Sequence, residues 1–389
     1  MWAHQMSDLL GSEADRLVRT MDEPPVTAVR PNARKHAVIG CPAEPIPWNS
    51  IGYYISETAF GLDPLWHAGA YYVQEPSSQF VARAVERALK DIEGVPNVLD
   101  LCAAPGGKST LIADTLPKGS LLVSNEVDPR RTRSLSENLA KWGAPSVVQT
   151  QNRAADFGEL LPATFEIIAV DVPCSGEGMM RKSDEARAQW SPRLVEQCSG
   201  VQRSIVEDVW PALKPGGFLI YSTCTMNVLE NEQNVQSFIS CLGAEPIEIE
   251  GFTYLSSPFG PGYRLLPHKV RGEGFYLALL RKPGTLRANN CSPEISKAPL
   301  SVVTYSASVL SAQGTYELNY RSALQYLHGD VLRLPASVPR GHICVAYQGL
   351  PLGVVNNIGS RANNLYPKEW RLRTTRWPDL PPSVVKIEH

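Results

Sequence analysis

The sequence predicts an α/β protein built on a doubly wound, mostly parallel sheet, with a small α+β domain before it and a β-rich domain after it. Three observations carry this. Through the middle of the chain short, almost wholly apolar strands alternate with amphipathic helices, the pattern of a parallel sheet covered on both faces. YRLLPHKVRGEGFYLALLRK (263–282) reads as a hairpin turning at Arg271-Gly272-Glu273-Gly274, which sets one antiparallel strand into that sheet. Beyond a stretch rich in Pro, Asn and Ser, runs such as HICVAYQG and LPLGVVNN read as strands of a separate unit.

In chain order, SDLLGSEADRLVRTM is an amphipathic helix candidate with Ser7 as N-cap. A connection through Pro24, Pro25 and Pro31 follows. QEPSSQFVARAVERALKDIEGVPNVLDLCAAPGG reads as helix, turn and buried strand. Strands are then expected at 119–127, 146–152, 165–173 and 218–225. Helices are expected in PRRTRSLSENLAKWG, SPRLVEQCSGVQRSIVEDVW and NVLENEQNVQSFISCLG. The boundaries drawn are 1–70, 71–283, a linker at 284–300, and 301–389.

The chain has 389 residues, 43% of them hydrophobic and 20% charged, an ordinary globular composition with room for two or three domains. It holds no run of about 18 apolar residues, so no membrane span is expected. The first residues lack a basic-then-apolar leader, and the expected location is the cytoplasm. Eight cysteines form no CxxC pair. Reduced thiols are expected, with no metal site. The default oligomeric state is a monomer.

The stretch NVLDLCAAPGGKST (97–110) approaches a phosphate-binding loop, with Gly107-Lys108-Ser109 in place. Cys102 stands where the first glycine of that loop belongs, and Pro105 removes an amide from its middle. The next strand ends in Glu126, about 20 residues on, where an acid suits a ribose diol. A nucleotide-triphosphate hydrolase remains the rival reading, since IIAVD resembles the strand that such enzymes use for magnesium.

Two cysteines sit at the ends of neighbouring predicted strands, Cys174 in DVPCSGEGMMRK and Cys224 in YSTCT. In a parallel sheet both ends face the ligand. Chemistry that needs a thiol there is addition to a pyrimidine. A thiolate on C6 turns C5 into a nucleophile, an acid near N3 such as Asp171 stabilises the adduct, and Lys108 adds positive charge beside the thiol or the base.

LDLCAAPGGKST, DVPCSGEGMMRK, YSTCT and GAYYVQEPSSQFVA together resemble the Fmu/Sun family of RNA cytosine-C5 methyltransferases. The two ends of the chain look most like its RsmF/YebU branch, which acts on small-subunit (16S) ribosomal RNA and carries a C-terminal PUA-like domain. The resemblance implies a Rossmann-like class I methyltransferase core with a mixed seven-stranded sheet, using S-adenosylmethionine. It implies Cys224 as nucleophile and Cys174 as the residue that assists product release. Cys102, Ala103, Ala104, Pro105, Gly106, Gly107 and Lys108 would line the cofactor, Glu126 would take the ribose hydroxyls, and Asp171 would stand between cofactor and cytosine. The family usually has an acid after the third strand to meet adenine. TQNRAADF offers Asn152 in its place, or Asp156.

A cytosine must leave the helix to expose C6, so the target is single-stranded or flipped. Candidates for gripping such RNA are Arg30, Arg34 and Lys35, Arg181 and Lys182, and Lys368, Arg371 and Arg373 beside Tyr366, Trp370 and Trp377. The motifs do not separate a ribosomal from a transfer RNA substrate. A non-catalytic assembly factor would be expected to have lost a cysteine or the Gly-rich turn.

Overall fold

The computed structural model describes residues 1–56, 58–286, 295, 298–303 and 312–388; most of the linker, with Cys291, lies outside them. The chain opens with two helices, Trp2–Leu10 and Ala14–Thr20, separated by a tighter turn at Gly11–Glu13. The single helix capped by Ser7 is therefore corrected. Ser7 lies inside the first helix and returns its hydroxyl to Ala3 O, and the break falls at Gly11, whose φ of 55° favours glycine.

Strands β1 (Ala28–Pro31), β2 (Ala37–Ile39), β3 (Ala43–Ile46), β4 (Asn49–Ile55) and β5 (Tyr71–Val73) follow. Four of them form an antiparallel sheet in the order β3-β4-β1-β5. Because β5 pairs with β1, this domain runs past the boundary drawn at residue 70.

The central sheet contains β6 (Asn97–Asp100), β7 (Leu121–Asn125), β8 (Val147–Thr150), β9 (Phe165–Asp171), β10 (Leu213–Thr223), β11 (Glu245–Pro246), β12 (Tyr263–Leu265), β13 (Phe275–Arg281) and β14 (Val302–Val303). Its order is β11-β13-β10-β9-β6-β7-β8-β14, with β12 paired to β13. The pairs among β6 to β10 are parallel, and β13 runs antiparallel against β10. The expected seven strands are thus present, with β12 and β14 as short additions. β14 lies just beyond the linker, in the segment assigned to the last domain, yet it caps the central sheet at β8.

Both faces of this sheet are buried, as the apolar strands require. Ile167, Ala169, Phe218 and Ile220 pack on one side with the helices Val81–Leu89 and Gly107–Thr115. Ile168, Val170, Leu219 and Tyr221 pack on the other with Ala154–Leu160, Pro192–Val209 and Glu232–Leu242. Each large apolar side chain so buried contributes about 1.5–3 kcal/mol. Strand order reverses between β6 and β9, which places the ligand crevice at their carboxyl ends.

The last domain holds β15 (Thr315–Glu317), β16 (Gly341–Tyr347), β17 (Leu350–Asn357) and β18 (Ala362–Asn364), with the helix Tyr320–His328 packed against them. A final strand, β19 (Val385–Ile387), leaves this sheet and pairs antiparallel with β2. The first and last domains also share one apolar cluster, in which Val29, Leu65 and Tyr71 meet Tyr326, Val355 and Tyr366. Among the described residues no helix is long and apolar enough to cross a membrane.

Candidate active site

β6 ends at Asp100 and runs through Cys102–Pro105 into the helix Gly107–Thr115. Gly106 carries φ 112°, a conformation other residues rarely adopt, and turns the chain into the helix. The loop is pinned from behind: Ala103 N donates to Asn125 O at 2.8 Å, Arg131 Nη2 to Ala104 O at 2.7 Å, and Asn138 Nδ2 to Pro105 O at 2.8 Å. Burial pushes the Cys102 thiol up, and the carboxylates of Asp100, Asp171 and Glu126 push it further. Cys102 is therefore a neutral lining group.

Lys108 reaches across the crevice from this helix. Its Nζ donates to Asp171 Oδ2 at 2.8 Å and lies 5.4 Å from the centre of the Phe275 ring. Burial works against the ammonium, but the charge and hydrogen bond of Asp171 outweigh it and hold its pKa above the usual lysine value. Asp171 Oδ1 accepts from Ser222 Oγ at 2.8 Å. Both carboxylate oxygens at the end of β9 are thus fixed by neighbours on two other elements. A triphosphate-binding lysine would need to be free for phosphate; this one is committed to a carboxylate.

Cys174 and Cys224 meet. Their sulfurs are 3.2 Å apart, one following β9 and the other following β10, and both side chains are half-buried. The hydrogen bond with Cys224 and burial hold the Cys174 thiol well above its ordinary value, so Cys174 keeps its proton. The two loops are locked together by polar groups that the sequence reading missed. Glu230 is fully buried, and its carboxylate accepts from Ser175 N, Gln202 Nε2 and Asn227 Nδ2. Glu177 accepts from Trp190 Nε1, Met226 N and Asn227 Nδ2, and burial raises its pKa. Gly178 N donates to Cys224 O at 2.8 Å. The signal for them was the cluster Asn227, Glu230, Asn231 and Glu232 directly after YSTCT, which only reads as a solvated helix until the burial is known.

Two buried acceptors on the strand ends take no hydrogen bond, Asp100 Oδ1 and Glu126 Oε2. Arg131 Nη1 lies 3.3 Å from the latter as an ion-pair partner. Buried acceptors of this kind call for donors, and a ligand bearing hydroxyl and ammonium groups supplies them. The Gly-rich turn allows close approach, and the helix N-terminus favours a carboxylate. The residues fit S-adenosylmethionine.

Asn152 needs correction. Its amide is already engaged both ways with Ser301, accepting from the backbone N at 3.0 Å and donating to the carbonyl at 3.4 Å. It ties the segment entering β14 to the sheet, which occupies its oxygen and one of its two amide hydrogens. Asp156 is occupied too, by Arg153 Nη2 at 3.0 Å and its backbone N at 2.8 Å.

Several expected RNA contacts are structural. Arg30 is fully buried, bonded to Gln74, Asp114, Thr110 and Gly107 O. Arg34 pairs with Asp114 at 2.5 Å and with Ala113 O. Lys35 donates to the carbonyls of Ala68 and Lys141, and burial lowers its pKa to about 8. Arg181 is 5% exposed and holds Glu23 O, Pro24 O and Gly272 O, with Lys182 beside Glu273 at 3.9 Å. Arg371 donates to Tyr366 O, and Tyr366 itself is core. Trp370 is half-buried, packing on Tyr366 and under Lys141, and Trp377 packs on His328. Lys182, Lys368 and Arg373 remain exposed, as does Arg34 beside its ion pair.

The family described as 16S rRNA methyltransferase RsmB/F matches residues 88–281. The N-terminal domain of 16S rRNA methyltransferase RsmF matches 1–76, and the RsmF PUA domain matches 313–372. Ribosomal RNA small subunit methyltransferase F of Erwinia tasmaniensis is 27% identical over 84% of each chain. Its namesake in Aeromonas hydrophila is 34% identical over 69% of this chain and 60% of its own. A methyltransferase homolog from Pyrococcus horikoshii superposes with a TM-score of 0.59 at 26% identity, over 72% of this chain and 94% of that one. NSun6 from the same organism, solved with SFG, shares the fold at TM-score 0.59 and 21% identity, over 72% and 97%. Three domain matches in the right order, on a core whose site fits the cofactor, give one conclusion: the chain belongs to the Fmu/Sun family of S-adenosylmethionine-dependent rRNA methyltransferases, in its RsmF-type branch.

Proposed function

We propose that the protein forms 5-methylcytosine in small-subunit ribosomal RNA through a transient bond between Cys224 and C6 of the target cytosine. The observation that carries this is the pair of sulfurs 3.2 Å apart, beside the Lys108–Asp171 pair. The relatives named as small-subunit rRNA methyltransferases support the substrate.

As the Cys224 S–H bond breaks, its sulfur adds to C6 and pushes electrons onto N3, which takes up one proton for the one the thiol has lost. Asp171, held by Ser222 and Lys108, faces that developing change, and Lys108 keeps a positive charge beside it. S-adenosylmethionine, when bound, supplies the methyl group to C5 as an electrophile. Removal of the C5 proton then lets the sulfur–C6 bond break and returns Cys224. We assign Cys174 to this elimination because its sulfur lies 3.2 Å from that of Cys224, a contact that together with burial raises its thiol pKa.

The test is a pair of variants with tritiated methyl donor and small subunits, naked small-subunit RNA and bulk tRNA. Cys224→Ala abolishes transfer. Cys174→Ala accumulates an RNA–protein adduct that survives denaturation. Substantial activity in Cys224→Ala removes it as nucleophile, and a slow Cys174→Ala that traps no RNA overturns the division of labour. Label in tRNA alone keeps the chemistry and overturns the substrate.

A further inference from the structure

We propose that Arg30 is a positioning residue for the cofactor: from the first domain it sets the helix Gly107–Thr115, whose leading turn closes the S-adenosylmethionine site. The inference rests on reading residues 102–108 as the cofactor loop.

Arg30 belongs to β1, outside the methyltransferase core, and its side chain is 0% exposed. All three of its guanidinium nitrogens are used. Nε donates to Gln74 Oε1 at 2.6 Å, within its own domain. Nη2 donates to Gly107 O at 3.2 Å and Thr110 Oγ1 at 2.6 Å, in the first turn of the helix. Nη1 pairs with Asp114 Oδ2 at 2.9 Å, near its end. One side chain therefore spans the helix from its ligand-facing turn to its last turn. The guanidinium also lies 4.9 Å from the Trp142 ring centre and 5.7 Å from that of Tyr72.

Tyr72, on β5 of the same domain, closes the grip. A Cβ placed on Gly107 would lie 3.1 Å from its ring, so the first domain rests directly on the glycine that begins the helix. Asn32 extends the contact to the end of the next helix, donating to Trp142 O at 2.9 Å. A planar fork satisfying four acceptors on two domains fixes direction as well as distance, and a lysine cannot reproduce it. The first domain is thus part of the cofactor site, through Arg30, without touching the cofactor.

The experiment measures binding of S-adenosylhomocysteine by calorimetry and steady-state kinetics for Arg30→Lys and Thr110→Val in the full chain. Expected for Arg30→Lys is a rise of about tenfold in the S-adenosylhomocysteine Kd and in the KM for S-adenosylmethionine. At saturating cofactor kcat falls by less than the cofactor KM rises, since Lys108 shares that turn, and the KM for RNA stays within about twofold. Thr110→Val, which removes one partner from the core side and leaves the first domain intact, moves the same constants in the same direction by less. A purely structural role lowers the melting temperature and leaves the Kd unchanged; an RNA-contact role raises the RNA KM alone. Either result overturns the proposal, as does unchanged Thr110→Val binding should Arg30→Lys fail to fold. Failure of the wild type to bind S-adenosylhomocysteine overturns the cofactor reading itself, and this inference with it.

Discussion

Gly178→Ala tests the geometry of the two cysteine loops more sharply than removing either cysteine. A Cβ on Gly178 would lie 2.7 Å from Gly274 O, 2.9 Å from Cys224 O and 2.9 Å from Glu273 O. All three are backbone atoms, so no side chain can swing aside. Ordinary contact begins at 3.4 Å, and relief therefore demands a shift of about 0.7 Å between the loop that carries Cys174 and the segments that carry Cys224 and Glu273. Gly178 N also holds Cys224 O at 2.8 Å, and that bond stretches with the shift. A misplacement near 1 Å lowers catalysis by roughly 100-fold, so the expected fall in kcat is about 10- to 100-fold. The cofactor loop lies on other strands, and the S-adenosylhomocysteine Kd should be unchanged. Gly176→Ala is the control: its φ is 72°, and only Cys174 O lies within 4.0 Å of the added carbon. It carries backbone strain of about 1 kcal/mol without a clash. Single-turnover methyl transfer by both variants decides the matter. A Gly178→Ala enzyme with wild-type kcat would refute the idea that these loops must be seated this closely.

Asp100 gives a pH prediction. Burial raises its pKa to about 7, against the ordinary carboxylate value near 4, so between those values the folded chain holds a proton that the unfolded chain has released. Stability of the cofactor-free protein therefore falls as pH rises through that window. Asp100→Asn should flatten the decline, seen in melting temperatures from pH 5 to 8. The sulfurs of Cys174 and Cys224 are close enough to join. Dilute hydrogen peroxide should take two electrons and two protons from them to give a disulfide and water, with loss of activity that dithiothreitol restores; intact mass should show the loss of two hydrogens in the wild type and not in Cys174→Ala. Lys368→Ala and Arg373→Ala should weaken RNA binding at low salt and lower the salt slope by about 1 each, with melting temperature unchanged. Arg181→Ala should instead lower unfolding free energy by roughly 3 kcal/mol in a denaturant titration, because it strips the buried Glu273 of a partner.

The central sheet was legible because its strands carry unbroken apolar runs and end on residues with chemistry. That Asp171 and the two cysteines stand at strand ends follows from that pattern alone, and the roles proposed for them come from the family motifs. What charge in a sequence does not disclose is burial. Arg30 and Arg181 look like nucleic-acid contacts in one dimension, yet each is spent joining segments distant in the chain. Asn152 sits where an adenine contact belongs, but its partner is Ser301, about 150 residues on. Tyr366 reads as a stacking platform until the first domain is laid against it. The hairpin at 263–282 exists as β12 and β13, but its connection from Leu266 to Gly274 is far wider than the four-residue turn expected, because Leu266 and His268 are drawn into the interior.

The pairing of β19 with β2 has a consequence for how the protein comes into being. The edge that Ala37–Ile39 presents is completed only by Val385–Ile387, a strand far later in the chain. At elongation rates of 5–20 residues per second the interval is roughly 20–70 s. Through it the nascent first domain also lacks Tyr326, Val355 and Tyr366, the far wall of its apolar cluster. The helix that Arg30 braces is finished long before the domain bracing it is closed. A nascent chain that has emerged only through β13 therefore carries both cysteine motifs but an open first domain, whose edge closes when β19 pairs with β2.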